Sequence, residues 1–478
     1  MEKVRIGLIG VGLDTYWRQF NGLLDKLIKY QTSIENRIST FDSVEVINVG
    51  MIDNIEKAHE AASILKKENI ELLFLYISTY SLSSSLIPFV KKLSVPIIML
   101  NLSPNSSIDY NKINSLGDRG AMTGEWLANC QACSVPEFSS IFNISKVKYD
   151  IISGYLDDEK AWEEINEWLV AVSIATGMKN NRLGVLGNYY GGMVDVYSDL
   201  ALQSTVFGTH IEVLEMCELA EIRSKVTDEE VEQKVEEFSS TFIIDPSCSE
   251  HEIKRAAKTS VALDKIVSKH NLGSMAYYYS GTSGNDFENI ITSVIAGNTL
   301  LTGKNIPVAG EYEIKNAQAM KIMALMGIGG CFSEFYAIDY KDDVIQLGHD
   351  GPAHHIMSEE KVSLVPLPVY HGKPGKGLSI QMSVKNGPVT LLSVVEGTEG
   401  ISLLVAEGES VPGPILNIGN VNSRYKFNIT AKEFIKKWSM TGPSHHCSIG
   451  SGHVANILNK YAHLLDIPIN IITDKNKE

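Results

Sequence analysis

The chain begins with short apolar runs that alternate with amphipathic stretches. The apolar runs cover residues 4–12, 44–49, 72–77 and 96–100. Polar stretches with helical periodicity, such as 54–69, lie between them. Strands and helices that alternate at this spacing are typical of a parallel sheet with helices on its faces. The pattern predicts an α/β domain over residues 1–180.

The same alternation starts again near residue 180. An amphipathic helix pattern ends near Gly177, and a new apolar run begins at Leu183. The elements predicted after it are a strand at 206–214, helices at 228–239 and 250–270, and a strand at 276–279. This pattern indicates a second α/β domain over residues 181–330.

Beyond about residue 330 the pattern changes to short β-type runs separated by glycine and proline. These runs cover residues 362–367, 378–384, 389–395 and 401–407. Their spacing is typical of antiparallel hairpins and predicts a barrel-like or sandwich domain over residues 331–478. Two helices, at about 430–438 and 450–464, are predicted to close the chain.

Composition and charge exclude several classes of protein. The 478 residues are 44% hydrophobic and carry a net charge of −15, without any Lys/Arg-rich run. This composition argues against nucleic acid as a partner. We find no apolar run of about 18 residues and no signal-peptide pattern, so we expect a cytoplasmic protein without a membrane span. The six cysteines are too sparse for a disulfide framework, and the single Cys-x-x-Cys at 130–133 lacks the second ligand pair of a zinc knuckle.

Two glycine-rich segments carry weak signals for a bound phosphate. Gly7, Gly10 and Gly12 lie in and after the first predicted strand but do not fit Gly-x-Gly-x-x-Gly, so no nucleotide cofactor is predicted. The segment 371–377 could hold a phosphate through Lys373 and Lys376, but it is more typical of a hairpin turn.

The candidate chemistry lies in the last third of the chain. Glu311, Glu334, His349 and the pair His445 and His446 each lie in a glycine-rich or turn-like setting. Two carboxylates and two imidazoles suit Mn, Fe, Co or Zn, and such a site could also move protons. Glu311 precedes a predicted helix, where the helix macrodipole alone would favour a glutamate. Glu334 is flanked by large apolar side chains, which predicts partial burial and the need for a partner.

From residue 309 to residue 453 the sequence resembles the L-arabinose isomerase / L-fucose isomerase superfamily, and its arabinose isomerase branch in particular. The resemblance rests on Gly-Glu-Tyr-Glu-Ile-Lys-Asn-Ala at 310–317, Phe-Ser-Glu-Phe-Tyr at 332–336, Gly-His at 348–349 and Gly-Pro-Ser-His-His at 442–446. It implies two Rossmann-like, doubly wound α/β domains followed by a β-rich, barrel-like C-terminal domain with terminal helices.

The resemblance also implies a metal site and a reaction. A Mn²⁺ ion, or Mg²⁺, Co²⁺ or Fe²⁺, would be held by Glu311, Glu334, His349 and one histidine of the late pair, for which we take His446. The two glutamates would serve as acid and base, because hydrogen moves between C1 and C2 of a sugar through an ene-diol only if one group takes a proton and another returns it. The implied protein is a homotrimeric or homohexameric aldose–ketose isomerase of a pentose or deoxyhexose.

The predicted substrate side departs from the arabinose isomerase pattern. Those enzymes carry Gln-His-Leu-Tyr after the first strand, whereas this chain has Leu-Asp-Thr-Tyr-Trp-Arg-Gln-Phe at 13–20. Trp17 and Gln19 could stack on a sugar and hydrogen-bond to it. Met193, Tyr279 and His445 are further candidates for contact with the sugar. For the tryptophan, the methionine and the tyrosine, a place in the hydrophobic core is an equally good interpretation.

Two other functions are compatible with the same residue types. One is a non-catalytic sugar-binding or sensing protein on the isomerase scaffold, which would be expected to lose one of the four metal ligands. The other is a metal-dependent sugar hydrolase or epimerase. All four ligand positions are filled in this chain, which favours an enzyme.

Overall fold

The structure, a computed structural model, describes residues 3–280, 284–370, 373–374 and 376–472. The chain divides into two compact units, Met1–Ser173 and Ile174–Glu478. The finer division into domains at 1–180, 181–330 and 331–478 stays a prediction. Among the described helices, we find none whose length and apolarity would let it traverse a lipid bilayer.

The first unit is built on a five-stranded parallel sheet. Its strands are β1 (Val4–Val11), β2 (Val44–Ile52), β3 (Leu72–Ile77), β4 (Ile97–Ser103) and β5 (Tyr149–Tyr155). Their order is β2-β1-β3-β4-β5, and each neighbouring pair is parallel. Every residue of β3 is buried, as expected for a strand covered on both faces. The predicted parallel sheet is confirmed, while the Rossmann-like, doubly wound description stays a prediction.

The helices of this unit follow the strands. They are α1 (Thr15–Gln19), α2 (Leu23–Ile38), α3 (Ile55–Lys67), α4 (Ile87–Lys92), α5 (Tyr110–Asn114), α6 (Arg119–Leu127), α7 (Ser134–Ser145) and α8 (Glu159–Lys179), which continues past Ser173 into the second unit. The predicted helix at 54–69 corresponds to α3. It begins after Asn54, whose side chain accepts a hydrogen bond from the backbone of Lys57 and so caps the first turn.

The second unit begins with another parallel sheet. Its first strands are β6 (Arg182–Gly187), β7 (His210–Leu214), β8 (Ile243–Ile244), β9 (Ser274–Tyr278) and β10 (Val308–Ala309). Four of them form a sheet in the order β10-β9-β6-β7, while β8 joins a later sheet. The helices are α9 (Leu200–Phe207), α10 (Met216–Ser224), α11 (Asp228–Thr241), α12 (Glu250–His270), α13 (Asp286–Ile291), α14 (Ile295–Gly303) and α15 (Ile314–Leu325).

The strand predicted at 206–214 is wrong in its first part. The carboxylate of Asp199 caps α9 by accepting hydrogen bonds from two backbone N–H groups, and the helix continues through Phe207. Gly208 then ends it with a φ of +73°, a conformation that glycine adopts without steric cost. The strand β7 starts only at His210. The apolar residues 206–207 therefore complete a helix.

The rest of the second unit is β-rich. Its strands are β11 (Gly329–Asp339), β12 (Val344–His349), β13 (Ser363–Pro366), β14 (Val369–Tyr370), β15 (Lys373–Pro374), β16 (Leu378–Gln381), β17 (Gly387–Gly397), β18 (Gly400–Ser410), β19 (Val421–Phe427), β20 (His446–Ser451) and β21 (Ile469–Ile472). The helices α16 (Ala431–Met440) and α17 (Ala455–Leu465) lie between the last strands.

Six of these strands pair with one another to form a closed ring. The sheet order is β17-β20-β11-β12-β19-β18-β21, and β17 also pairs with β18, so the first six strands form a barrel-like ring. The predicted antiparallel, barrel-like region is therefore confirmed. The strands β14 and β15 pair as the predicted hairpin, although residues 371, 372 and 375 lie outside the described residues.

The helix predicted at 450–464 starts later than expected. Residues 446–451 form the strand β20, and α17 begins only at Ala455. Gly450 is needed in that strand because a side chain there would collide with Met323 of α15 and with Ile328. The glycine pattern thus marks a close approach between a helix and a sheet.

The helix α15 is buried almost all round. It contacts β9 and β10 of the parallel sheet and also β11, β17 and β20 of the barrel-like sheet. Its polar residues Lys315, Asn316 and Gln318 are at most 5% exposed. Because buried polar groups need partners, the start of this helix is a place where side-chain hydrogen bonds must be made.

An ion-pair cluster at the end of α12 gives a prediction about stability. The ring of His270 contacts Glu212 at 2.5 Å and Glu218 at 2.8 Å, and these carboxylates raise the pKa of His270. A raised folded-state pKa stabilises the fold below the unfolded pKa, and that contribution is lost as the pH rises through the folded pKa. We expect His270→Gln to lower the free energy of unfolding by roughly 1 kcal/mol at about pH 5.5 and by much less at about pH 9.

Urea unfolding at the two pH values would measure this difference. The control is His251→Gln on the same helix, because the side chain of His251 is 80% exposed. A loss of stability in His270→Gln that is equal at both pH values would contradict the prediction.

Candidate metal centre

A strained turn places the first carboxylate. Glu311 and Tyr312 follow β10 and have φ angles of +56° and +61°, the left-handed region that residues with side chains seldom occupy. The turn is held by hydrogen bonds from Tyr312 N to Tyr277 O (3.0 Å) and from Glu313 N to Gly310 O (3.0 Å). Glu311 is only 6% exposed. Strain of this kind persists where the surrounding structure over-determines it, which is common at functional sites.

Three neighbouring strands place the other predicted ligands. In the antiparallel pairing of β11 and β20, Glu334 lies directly opposite His446. In the pairing of β11 and β12, Glu334 lies opposite Gly348, and His349 is the last residue of β12. Directly opposed residues on one face of a sheet lie within about 5.5 Å, so the register brings these side chains together.

The predicted metal ligands lie in two groups of three residues that share His446. The Oε2 atom of Glu311 lies 3.4 Å from His446 Nε2, and its Oε1 atom lies 3.9 Å from His349 Nε2. The Nε2 atom of His445 lies 3.6 Å from Glu311 Oε2 and 3.9 Å from Glu334 Oε2. Ligand atoms of Glu311, His349 and His446 lie within 4.8 Å of one another, and so do those of Glu334, His445 and His446.

The chemistry of the donor set fits a divalent cation. Glu311 Oε2 and His446 Nε2 are buried and have no hydrogen-bond partner among the residues that the structure describes. A buried polar atom without a partner costs about 1–3 kcal/mol, so two of them facing each other are unfavourable unless something binds between them. A cation with oxygen and nitrogen ligands would satisfy both atoms.

A buried carboxylate orients the ring of His446. Glu313 Oε2 contacts His446 Nδ1, and Glu313 Oε1 accepts a hydrogen bond from the hydroxyl of Ser444. The side chains of Glu313 and His446 are both 0% exposed. An imidazole that donates from Nδ1 keeps the lone pair of Nε2 for the ion. Glu313 was not singled out by the sequence analysis, although it lies in the same Glu-Tyr-Glu motif as Glu311.

A different carboxylate holds His445. Asp195 Oδ2 lies 2.6 Å from His445 Nδ1 and accepts a hydrogen bond from the backbone N of His445 at 3.0 Å. Burial by itself lowers the pKa of His445, but the carboxylates of Glu311 and Asp195 outweigh burial and raise this pKa to about 9. Asp195 could not be identified from the sequence, because nothing in its local sequence links it to a histidine 250 residues away.

The other predicted sugar contacts lie in varied surroundings. In the first unit, the indole of Trp17 donates a hydrogen bond to Asp53 Oδ2 at 2.7 Å and packs against Gly12, while Gln19 is exposed. In the second unit, Met193 is half-buried and immediately precedes a short 3-10 helix, Val194–Val196. The ring of Tyr279 lies 5.5 Å from the ring of Phe287. The contacts of these residues with sugar stay predictions.

An aromatic group lines the cluster on its buried side. The ring of Phe332 lies 4.4 Å from the rings of both His349 and His446. Burial raises the pKa of Tyr278 to about 12, and the negative charge of Glu311 acts in the same direction. Phe332 therefore gives the site an apolar wall on one side, which strengthens electrostatic interactions next to it.

Comparisons with known proteins relate the sequence of this chain to the L-arabinose isomerases. No model of a protein family matches the chain. L-arabinose isomerases of Klebsiella pneumoniae, Shigella boydii and Escherichia coli are each 20% identical to it over 409 residues, which are 84% of this chain and 80% of theirs. A periplasmic solute-binding protein of Actinobacillus succinogenes with bound D-allose is 13% identical, with 64% of this chain and 78% of that one covered. Its TM-score of 0.16 is too low to indicate a shared fold. The chain is thus a distant relative of the L-arabinose isomerases.

Proposed function

We propose that this protein is a divalent-metal-dependent aldose–ketose isomerase. The observation that carries the proposal is the pair of groups Glu311, His349, His446 and Glu334, His445, His446, which share His446. Glu311 Oε2 and His446 Nε2 are buried without a hydrogen-bond partner in the described part of the chain. The distant similarity to L-arabinose isomerases supports the same reaction class.

In this proposal Glu311, Glu334, His349 and His446 hold the ion, with Mn²⁺ as the candidate that fits mixed carboxylate and imidazole ligands. A bound ion would lower the cost of negative charge on the sugar oxygens at C1 and C2. Between the two adjacent histidines we assign the ligand role to His446, because its ring is fully buried and its Nδ1 atom is held by Glu313. His445 is left to contact the sugar.

The exposure of the two glutamates suggests how they divide the proton transfers. The side chain of Glu334 is 31% exposed, against 7% for Glu311. We therefore assign to Glu334 the transfer at carbon, in which it takes the proton from C2 of the aldose and returns it to C1. Glu311 would carry the hydroxyl proton from O2 to O1, so that aldose and ketose have the same composition.

The finer features of the function are also part of the proposal. We propose a pentose or a 6-deoxyhexose as substrate, on the basis of the distant similarity to L-arabinose isomerases. The altered segment at 13–20 leaves the identity of the sugar open. A homotrimer or homohexamer and a cytoplasmic location stay predictions.

The proposal can be tested with the metal-loaded protein. We expect Mn²⁺-loaded protein to convert at least one sugar from a panel of pentoses and 6-deoxyhexoses from aldose to ketose, with the products identified by NMR. The same protein stripped with a chelator should be inactive, because the bound ion would supply most of the stabilisation of negative charge on the sugar oxygens.

The results of this test distinguish an isomerase from a sensing protein, an epimerase and a hydrolase. Binding of a sugar without conversion would indicate a sensing protein, and an epimer or a hydrolysis product would indicate the corresponding enzyme. Absence of both Mn²⁺ binding and conversion of every sugar would sink the isomerase proposal.

A further inference from the structure

Asp195 makes two hydrogen bonds to one residue of the candidate site. Its Oδ2 atom lies 2.6 Å from the ring Nδ1 of His445 and 3.0 Å from the backbone N of the same residue. Together the two contacts fix both the backbone and the ring of His445. Hydrogen bonds to an ionised carboxylate are about twice as strong as neutral ones, so this pairing can hold a partly exposed ring in one orientation.

The segment that carries Asp195 is itself anchored. The buried ammonium of Lys315 donates a hydrogen bond to the backbone carbonyl of Asp195. Lys315 is 5% exposed and is the second residue of α15, which begins three residues after Glu311. A buried ammonium requires an acceptor, so the start of α15 fixes the 3-10 helix Val194–Val196 next to the site. The neighbouring Val196 is fully buried and adds a hydrophobic anchor.

The contact determines where the other ring nitrogen of His445 points. With Nδ1 at Asp195, Nε2 lies 3.6 Å from Glu311 Oε2 and 3.9 Å from Glu334 Oε2. The adjacent ring of His446 is held in the same way by Glu313. The two rings differ in exposure, because 36% of the His445 side chain is exposed and none of His446. His445 therefore approaches the two carboxylates from the side that a sugar can reach.

We propose that Asp195 is a positioning residue of the isomerase, which fixes His445 so that its Nε2 atom can hydrogen-bond a sugar hydroxyl held between Glu311 and Glu334. This inference rests on the proposed function. Asp195 itself touches neither the sugar nor the ion. Loss of its negative charge weakens the contact that holds the ring of His445 in one orientation, so the effect falls on turnover and leaves the binding of Mn²⁺ nearly unchanged.

The first test is kinetic. We expect Asp195→Asn to lower kcat by about 10- to 100-fold, with KM nearly unchanged, as for other residues that orient a group in contact with the reaction. Asp195→Glu should recover part of the loss because it restores the negative charge of the acceptor. The control is Asp199→Asn, the same chemical change four residues away, which should leave kcat unchanged because asparagine caps a helix as well as aspartate does.

A double-mutant cycle tests whether Asp195 acts through His445. In a His445→Gln background, Asp195→Asn should cause no further loss of kcat, because the group that it positions is gone. An unaltered kcat in Asp195→Asn would overturn the inference. So would a loss that simply adds to that of His445→Gln.

A second measurement does not depend on activity. Diethyl pyrocarbonate modifies accessible histidine rings, and mass spectrometry gives the rate at His445 in the metal-free protein. We expect this rate to rise about tenfold in Asp195→Asn, the factor that loss of a charge-assisted hydrogen bond corresponds to, and to stay unchanged in Asp199→Asn. His446 is fully buried and should remain unmodified.

The kinetic and the chemical-modification measurements distinguish failure of the inference about Asp195 from failure of the isomerase proposal. An unchanged modification rate at His445 in Asp195→Asn would overturn the inference about Asp195. Inactivity of the unmodified protein on every sugar, together with absence of Mn²⁺ binding, would instead sink the isomerase proposal.

Discussion

Replacing Glu334 by glutamine should lower kcat for aldose–ketose conversion by about a thousandfold and weaken the binding of Mn²⁺. Glutamine has the size of glutamate but cannot take a proton from carbon, and removal of general acid–base catalysis typically costs 10²- to 10⁴-fold, here taken as ~10³. Glu334 lies opposite His446 on the neighbouring strand. Together with His445 and His446 it forms a group of possible metal ligands. The loss of its charge should therefore reduce metal affinity as well.

The fold should be nearly unaffected by this substitution. About a third of the Glu334 side chain is exposed, so glutamine leaves no buried unpaired charge. Steady-state kinetics, calorimetric titration with Mn²⁺ and thermal unfolding would measure the three effects. Glu409→Gln is a matched control, because Glu409 is an exposed glutamate on β18 of the same sheet. If Glu334→Gln kept its activity, Glu334 would be a structural residue and the assignment of acid and base would be wrong.

Replacing Glu313 by glutamine should weaken the binding of Mn²⁺ by about 10- to 100-fold, the usual effect of removing the group that orients a ligating histidine. The carboxylate of Glu313 accepts from His446 Nδ1 on one oxygen and from Ser444 on the other. A neutral glutamine can still accept from His446 on its oxygen and donate to the Ser444 hydroxyl, but the negative charge that strengthens the contact with His446 is lost in a site that is fully closed to water. We also expect the free energy of unfolding to fall by about 1 kcal/mol, because hydrogen bonds to a neutral amide are roughly half as strong as those to a carboxylate.

A graded series distinguishes orientation of His446 from general damage to the site. Ser444→Ala removes only the outer hydrogen bond to Glu313 and should weaken Mn²⁺ binding less than Glu313→Gln does. Calorimetric titration of the metal-free proteins measures both affinities, and urea unfolding measures stability. Equal affinity in Glu313→Gln and the unmodified protein would show that Glu313 does not orient a metal ligand.

Local patterns in the sequence were sufficient for much of the fold. The strand β3 could be predicted because a strand covered on both faces must be apolar at every position. The helix α11 could be predicted from the acidic, solvated pattern at 228–239, and the structure adds a capping box of Thr227 and Glu230 at its start. The bounds of two predicted elements were wrong, because an apolar residue fits a helix as well as a strand and a glycine can lie inside a strand as well as at its end. Residues 206–207 continue a helix, and Gly450 makes room for α15 inside a strand.

The sequence by itself determined the types of residue in the candidate site and the order of its motifs, because these are properties of short segments. Only the tertiary structure decided which groups hold them in place. The contact between Glu313 and His446 joins positions 133 residues apart, and the contact between Asp195 and His445 joins positions 250 residues apart. Apolar periodicity records which face of an element is buried, whereas a side-chain hydrogen bond depends on how distant elements meet. For this reason the two histidines looked equivalent in the sequence and differ in the structure by the carboxylate that each one contacts.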